Sequence, residues 1–334
     1  MRFDGYFIPL VVAVGLLGCG NESKNIADED VEEGPFENIE VDEPEPIPSA
    51  GCGNAVAGDD GPFAVVVDDV EHKYLIDFPD GYDESRAYPL IFAFHFAGGN
   101  APAAKTMYNL RAAMGDDGVI VFPNGHELPV FDAILAAVQS SYCIDQGRIF
   151  ATGLSLGGGM SNTVGCERGD VFRAVAPVAG TGPSASAVCK GRVAVMQIHG
   201  TFDPIAAIAG SLPGRDRWIA MSECDPDVSE PAYAAYTGTC EQYADCDDAF
   251  PVIWCEHRDP IGHVWPPFAN KTIWAFFSSL DTSPQGEAAG PGAEMDPSDI
   301  STIQLSVRAP DNFEGTPRSV AFSLYPAGTR PVSY

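Results

Sequence analysis

The chain has 334 residues, with 47 Asp and Glu against 18 Lys and Arg, a formal net charge of −29, 45% apolar residues and 10% aromatic ones. That balance leaves no cluster of positive charge to displace counterions from phosphates or to dock on an anionic membrane surface, so nucleic-acid binding and basic-patch membrane binding are excluded. The apolar fraction still supports a sizeable core. Nine cysteines without a Cys-x-x-Cys pair predict an exported, disulfide-bonded globular protein.

Phe7 to Leu17 form an apolar run about half as long as a membrane-spanning helix requires. It ends in Leu16-Leu17-Gly18-Cys19, which resembles the bacterial lipoprotein signal. Residues 1–18 are therefore expected to be a cleaved signal. Cys19 is expected to be the lipidated N-terminus of an exported outer-membrane or other cell-surface lipoprotein, which meets the membrane only through that anchor. An ordinary secretory signal is the other reading. Residues 19–50 are expected to be a disordered acidic tether, because 21–50 carry eleven acids, one lysine and four prolines and bury too little apolar area to offset their ordering entropy.

From Gly51 to Leu280 short apolar runs alternate with helical stretches, which predicts an α/β fold with a mostly parallel sheet. Strands are expected at Lys73–Phe78 and Leu90–His95, a helix at Ala103–Met114, and a strand at Val119–Phe122 closed by the turn Pro123-Asn124-Gly125. A helix at Phe131–Ser140 and a strand at Arg148–Thr152 follow. Further strands are expected at Arg173–Val178, Val193–His199 and Val252–Cys255, the last of the sheet, before a closing helix at Thr272–Leu280. Residues 281–298 read as a linker. In 299–334, Ile303–Val307 and Ser319–Leu324 alternate like strands, giving a short β-rich tail or part of a larger module.

The strongest chemical signal is Gly153-Leu154-Ser155-Leu156-Gly157, a G-x-S-x-G that an apolar strand enters and Gly158-Gly159-Met160 leaves as a helix. That strand–turn–helix order is what a nucleophile elbow needs, and it presents Ser155 at a helix N-terminus. An elbow predicts its partners in the order acid, then histidine. Of the histidines that follow, His257 between Glu256 and Arg258 reads as a surface residue, whereas His263 stands in a Gly-Pro turn before the last helix. Asp203 lies just beyond the C-terminal end of the Val193–His199 strand, where α/β sites gather. Asp225, Asp227, Asp245, Asp247 and Asp248 read as solvated loop residues, with a weak calcium site as the alternative. The expected roles are Ser155 as nucleophile, His263 as general base and acid, and Asp203 as its orienting partner. The oxyanion donors are expected to be the amides of Leu156 and Ala97. His95 and His199 are expected to order their loops by hydrogen bonds. Phe96, Trp265 and Trp218 are candidate substrate contacts, with core packing the alternative for both tryptophans.

Residues 51–280 resemble the secreted esterases grouped as polyhydroxybutyrate depolymerases and feruloyl or acetylxylan esterases. The likeness rests on Gly51-Cys52-Gly53, Pro79-x-Gly81-Tyr82, Tyr142-Cys143-Ile144-Asp145, Gly153-Leu154-Ser155-Leu156-Gly157-Gly158, His199-Gly200-Thr201-x-Asp203-Pro204 and Gly262-His263-x-Trp265-Pro266. The resemblance implies an α/β-hydrolase fold, no cofactor or metal, and a serine-esterase triad at the three residues already chosen. Two departures stand out. Phe96 takes a place where the family usually has glycine, and only Gly125 to Val130 separate the Pro-Asn-Gly turn from the next helix, which predicts a more open or less active cleft. With Cys19 given to lipid, eight cysteines remain for four disulfides. Cys240 with Cys246 is the nearest local pair, and Cys224 with Cys255 would staple the loops that carry acid and base. The expected protein is a monomeric serine carboxylesterase acting on feruloyl or acetyl esters of plant polysaccharide. A polyester depolymerase and a catalytically impaired surface binding lipoprotein are the alternatives.

Overall fold

A computed structural model of the chain describes residues 45–54, 61–235 and 238–280. The expected signal, the lipidation at Cys19, most of the tether, the linker and the tail strands lie outside the described residues. The tether ends earlier than residue 50. Ile47 donates to Asp145 Oδ1 at 3.0 Å and its carbonyl accepts from Gln146 at 2.8 Å. Ser49 is buried between Tyr142 and Ile144, and Cys52 is joined to Cys143.

The strands are β1 (Phe63–Val67), β2 (Val70–Asp77), β3 (Tyr88–Phe94), β4 (Val119–Pro123), β5 (Ile144–Leu154), β6 (Ala174–Val178), β7 (Ala194–Gly200), β8 (Asp225–Ala235), β9 (Gly238–Ala244) and β10 (Val252–His257). They form one sheet in the order β1-β2-β4-β3-β5-β6-β7-β10-β9-β8. The middle run from β4 to β10 is parallel, and an antiparallel pair closes each end. This is the mostly parallel, helix-flanked α/β-hydrolase sheet that was expected, with β1 and the β8–β9 ribbon added. Val252–Cys255 is, as expected, the last strand in chain order among the described residues, although β9 and β8 lie outside it in the sheet.

Helices cover both faces: α1 (Ala101–Tyr108), α2 (Arg111–Met114), α3 (Leu128–Ser141), α4 (Leu156–Glu167), α5 (Leu212–Met221) and α6 (Ala269–Ser278). Every residue of β3 is buried, and its side chains alternate between two cores. Leu90, Phe92 and Phe94 pack with Phe131 of α3, Met160 of α4 and Trp218 of α5. Ile91 and Ala93 pack with Ala104 of α1, Met114 of α2 and Phe276 and Phe277 of α6. Burying each large side chain contributes about 1.5–3 kcal/mol, which is why a strand with no polar face can sit at the centre of the sheet.

The single helix expected at Ala103–Met114 is two. Asn109 adopts a left-handed backbone (φ 44°) and its amide caps α1 on the Lys105 carbonyl, so the chain turns before α2. Asparagine tolerates that conformation better than other residues with a Cβ. The expected cysteine pairs, Cys240 with Cys246 and Cys224 with Cys255, exchange partners. The disulfides are Cys224–Cys246 and Cys240–Cys255, alongside Cys52–Cys143 and Cys166–Cys189. Cys240 stands directly opposite Cys255 in the β9–β10 register, a relation that hairpin pairing creates and sequence distance conceals.

Candidate active site

The C-terminal ends of β5, β7 and β10 point to one edge of the sheet, and the segments that follow them carry Ser155, Asp203 and His263. Ser155 caps α4 with φ 58° and ψ −113°, a strained conformation for a residue with a side chain, and its amide donates to the Val178 carbonyl at 2.9 Å. The turn is possible because its neighbours lack a Cβ. One added to Gly153 would lie 2.5 Å from the Phe94 carbonyl oxygen, and one added to Gly157 would collide with the same oxygen. The amides of the first turn of α4, Leu156 first, have no intrahelical acceptor and carry the positive end of the helix dipole.

Asp203 and His263 are brought together, with His263 Nδ1 donating to Asp203 Oδ2 at 2.6 Å. The other carboxylate oxygen accepts from the amides of Ile205 at 2.9 Å and Ala206 at 2.8 Å. The Asp203 side chain is fully enclosed, while that of His263 is 10% exposed. Burial alone would raise the carboxyl pKa. The His263 bond and the two amides outweigh burial and hold it below the ordinary carboxylate value. An ionised Asp203 fixes the imidazole proton on Nδ1 and leaves Nε2 free to accept one. Behind this pair, His199 Nε2 donates to the Ala206 carbonyl at 2.7 Å, and Ser211 Oγ lies 3.0 Å from His199 Nδ1. His199 thus orders the Asp203 turn, the role expected of it.

Ala97 lies in the exposed part of a turn closed by the Gly99 amide on the Phe96 carbonyl at 2.9 Å. The left-handed position of that turn falls on Gly98 (φ 76°), so Phe96 meets no backbone strain; its ring is half-buried and faces Gly99. His95 Nδ1 donates to the Phe96 carbonyl at 2.8 Å, so His95 orders its loop as expected. His126, which the sequence reading passed over, donates from Nε2 to the His95 carbonyl at 2.7 Å. Its only signal was its place just past the turn after β4, at the same edge.

Three expectations are overturned here. Trp218 is not a substrate contact: it is 0% exposed on the inner stripe of α5, and its Nε1 donates to Asn162 Oδ1 at 2.9 Å. His257 is not a surface residue but fully buried at the end of β10, a strand between β7 and β9 that is buried on both faces. Asp225 and Asp227 lie in strand β8 rather than a loop, and among the described residues no group of three His, Cys, Asp or Glu side chains is arranged to hold a metal ion. Trp265, two residues past His263, is half-buried and stacks on Tyr108 with centroids 4.1 Å apart. Around the edge, Leu156 (50% exposed), Phe202 (66%), Ile205 (75%) and Ile261 (67%) present apolar side chains to solvent, each within two residues of Ser155, Asp203 or His263.

No protein-family model matches the sequence. The chain is 30% identical over 251 residues to a protein of Aspergillus terreus named probable feruloyl esterase C, spanning 69% of this chain and 91% of that one. It is 30% identical over 266 residues to feruloyl esterase D of Neurospora crassa, spanning 70% and 91%. Among solved structures, an acetyl xylan esterase from Aspergillus awamori superposes with a TM-score of 0.50 at 14% identity, covering 62% of this chain and 94% of that one, a likeness of fold. With two relatives matched at this identity over nine-tenths of their own length, the chain belongs to the feruloyl esterase family and is a carboxylic ester hydrolase.

Proposed function

We propose that the protein is an exported serine esterase that removes feruloyl or acetyl groups from plant polysaccharide through an acyl-enzyme on Ser155. The observation that carries this reading is the 2.6 Å Asp203–His263 bond at the sheet edge where the strained Ser155 turn also ends. Ser155 Oγ attacks the ester carbonyl carbon while His263 Nε2 takes the hydroxyl proton. The oxyanion is held by the amides of Leu156 and Ala97. His263 then gives that proton to the departing sugar oxygen, and the C–O bond breaks. Water attacks the acyl-enzyme, His263 takes its proton and returns it to Ser155 Oγ, and the carboxylic acid leaves. No step calls for a cofactor. The exposed apolar side chains at Phe202, Ile205 and Ile261 favour an aromatic acyl group over acetyl.

The names of the relatives support the feruloyl choice. Four disulfides support an oxidising, extracellular location, and the Leu16-Leu17-Gly18-Cys19 run supports attachment there through lipid on Cys19. The test is hydrolysis of a short nitrophenyl ester by the native protein and by Ser155→Ala. Turnover abolished in the variant is expected, and a native protein without turnover would make it a binding lipoprotein instead. Parallel assays on methyl ferulate, acetylated xylan and polyhydroxybutyrate rank the substrates, with methyl ferulate expected first. Palmitate labelling of the precursor, lost in Cys19→Ala, tests the anchor.

A further inference from the structure

Strands β3 and β5 run in parallel register as far as Phe94 opposite Gly153, and then part. β3 continues into the loop that carries Ala97, and β5 into the turn that carries Ser155. Where they part, one side chain from α1 reaches both the Phe94 carbonyl and the Leu154 amide. The Tyr108 hydroxyl donates to the Phe94 carbonyl at 2.8 Å and accepts from the Leu154 amide at 3.1 Å. Tyr108 is 0% exposed, and burial pushes its hydroxyl well above the ordinary tyrosine pKa, so it stays protonated and keeps donating. Its ring bears on a third segment, stacking on Trp265 at 4.1 Å and 22°.

We infer that Tyr108 is a positioning residue that sets the distance between nucleophile, oxyanion loop and histidine loop. One rigid ring touches the residue before Ser155, the strand end three residues before Ala97, and the aromatic side chain two residues after His263. Asn109 ends α1 immediately after Tyr108, and its carbonyl accepts from Asn270 Nδ2 at 3.1 Å, which ties that helix end to α6. A displacement of about 1 Å at any of the three segments is enough to slow a reaction that depends on their alignment, without changing how substrate binds. The inference rests on the assignment of Ser155 and His263 above.

Two variants test it on nitrophenyl acetate and nitrophenyl butyrate. Tyr108→Phe keeps the ring and the stack but removes the hydroxyl. Trp265→Leu removes the stack but leaves the hydroxyl's two bonds. Each is expected to lower kcat by about 10- to 100-fold on both esters with KM within about twofold. Trp265→Leu is also expected to shift the acidic limb of the kcat–pH profile, because its loop orients the imidazole. A merely structural role would lower the thermal midpoint and leave kcat per folded molecule and the pH limb unchanged, and that result overturns the inference. With methyl ferulate assayed beside them, a KM rise in Trp265→Leu confined to that aryl acyl ester would make Trp265 a substrate contact and overturn its positioning role. If Tyr108→Phe does not fold, the kcat and pH limb of Trp265→Leu decide alone. Activity surviving in Ser155→Ala would instead refute the underlying triad, so the two failures are distinguishable.

Discussion

Replacing Asp203 by asparagine is the sharpest probe of the acid–histidine pair, because the site dictates which way the amide must face. Asp203 Oδ1 accepts from two backbone amides, Ile205 at 2.9 Å and Ala206 at 2.8 Å, and Oδ2 accepts from His263 Nδ1 at 2.6 Å. An asparagine that turned its NH2 toward the two amides would orphan both in a site only 6% exposed, at a cost of about 1–3 kcal/mol each. It therefore keeps its oxygen there and presents NH2 to the imidazole. His263 Nδ1 must then accept, the ring proton moves to Nε2, and that nitrogen cannot take the Ser155 proton. The expected loss in kcat is about 10⁴-fold, the scale found when a triad aspartate is amidated elsewhere, or about 5.5 kcal/mol of transition-state stabilisation. Stability should barely change, with a midpoint shift within about 5 °C. Asp203→Ala should lose activity similarly but also about 2–6 kcal/mol of stability, since both amides lose their acceptor. Initial rates on a nitrophenyl ester and thermal melts of both variants make the comparison. More than a tenth of native kcat in Asp203→Asn refutes the tautomer argument, and melts that match those of Asp203→Ala refute the orientation argument.

Three further expectations follow from the packing. Burial holds His126, His199 and His257 below the ordinary histidine pKa, against the opposing pull of the His95 and Ala206 carbonyls and the charges of Asp203 and Asp259. The unfolded chain then binds more protons, so this stability is whole above about pH 6.5 and drains away as pH falls toward the lowered native values. Acid also relieves the carboxylate repulsion of a chain at −29, so the readout is a difference: His257→Gln should lose less urea stability than native protein between pH 7.5 and 5.5, and equal losses remove His257 from the account. Among the disulfides, the Cys52–Cys143 bridge spans 91 residues and should contribute about 4–5 kcal/mol by loop entropy, against about 3 for Cys240–Cys255, which spans 15. Melts of the paired Cys→Ala variants should keep that order, and a reversal would place packing above entropy here. Finally, Gly157→Ala should abolish soluble or active enzyme because its Cβ collides with the Phe94 carbonyl. Gly159→Ala, whose nearest neighbour is Thr181 Oγ1 at 3.7 Å, should remain active and gain about 0.5–1 kcal/mol, as expression and activity of the pair will show.

The parts of this fold that were legible are those where one local pattern decides the outcome. Leu90 to Phe94 is apolar at every position, which only a strand buried on both faces can use, and Gly153 to Gly157 fits no ordinary helix start. Chain order then placed acid and histidine at strand ends. The missed features depend on register or on a partner far away. The periodic pattern of Ala103–Met114 runs unbroken through Asn109, so nothing apolar marked the break. Strand β8 is acidic and holds Pro226 and Pro231, which reads as loop until β9 pairs with it, and the cysteine pairing followed from that unseen hairpin. Charged neighbours suggested exposure for His257, but β10 lies between β7 and β9 and is buried on both faces. Tyr108 carried no signal at all, because its hydroxyl matters only where two strand ends, 60 residues apart in sequence between Phe94 and Leu154, come to lie side by side.

The acidic ribbon that confused the sequence has its own use in the folded protein. An outermost strand exposes a row of amides and carbonyls on which a second molecule can add a strand of its own. In β8 that row is interrupted by Pro226 and Pro231, which have no N–H to offer, and flanked by Asp225, Asp227 and Glu230. A neighbouring copy would meet missing donors and like charge together. Molecules held close together can therefore sit edge to edge without pairing through β8, and the protein can be concentrated and still dispersed.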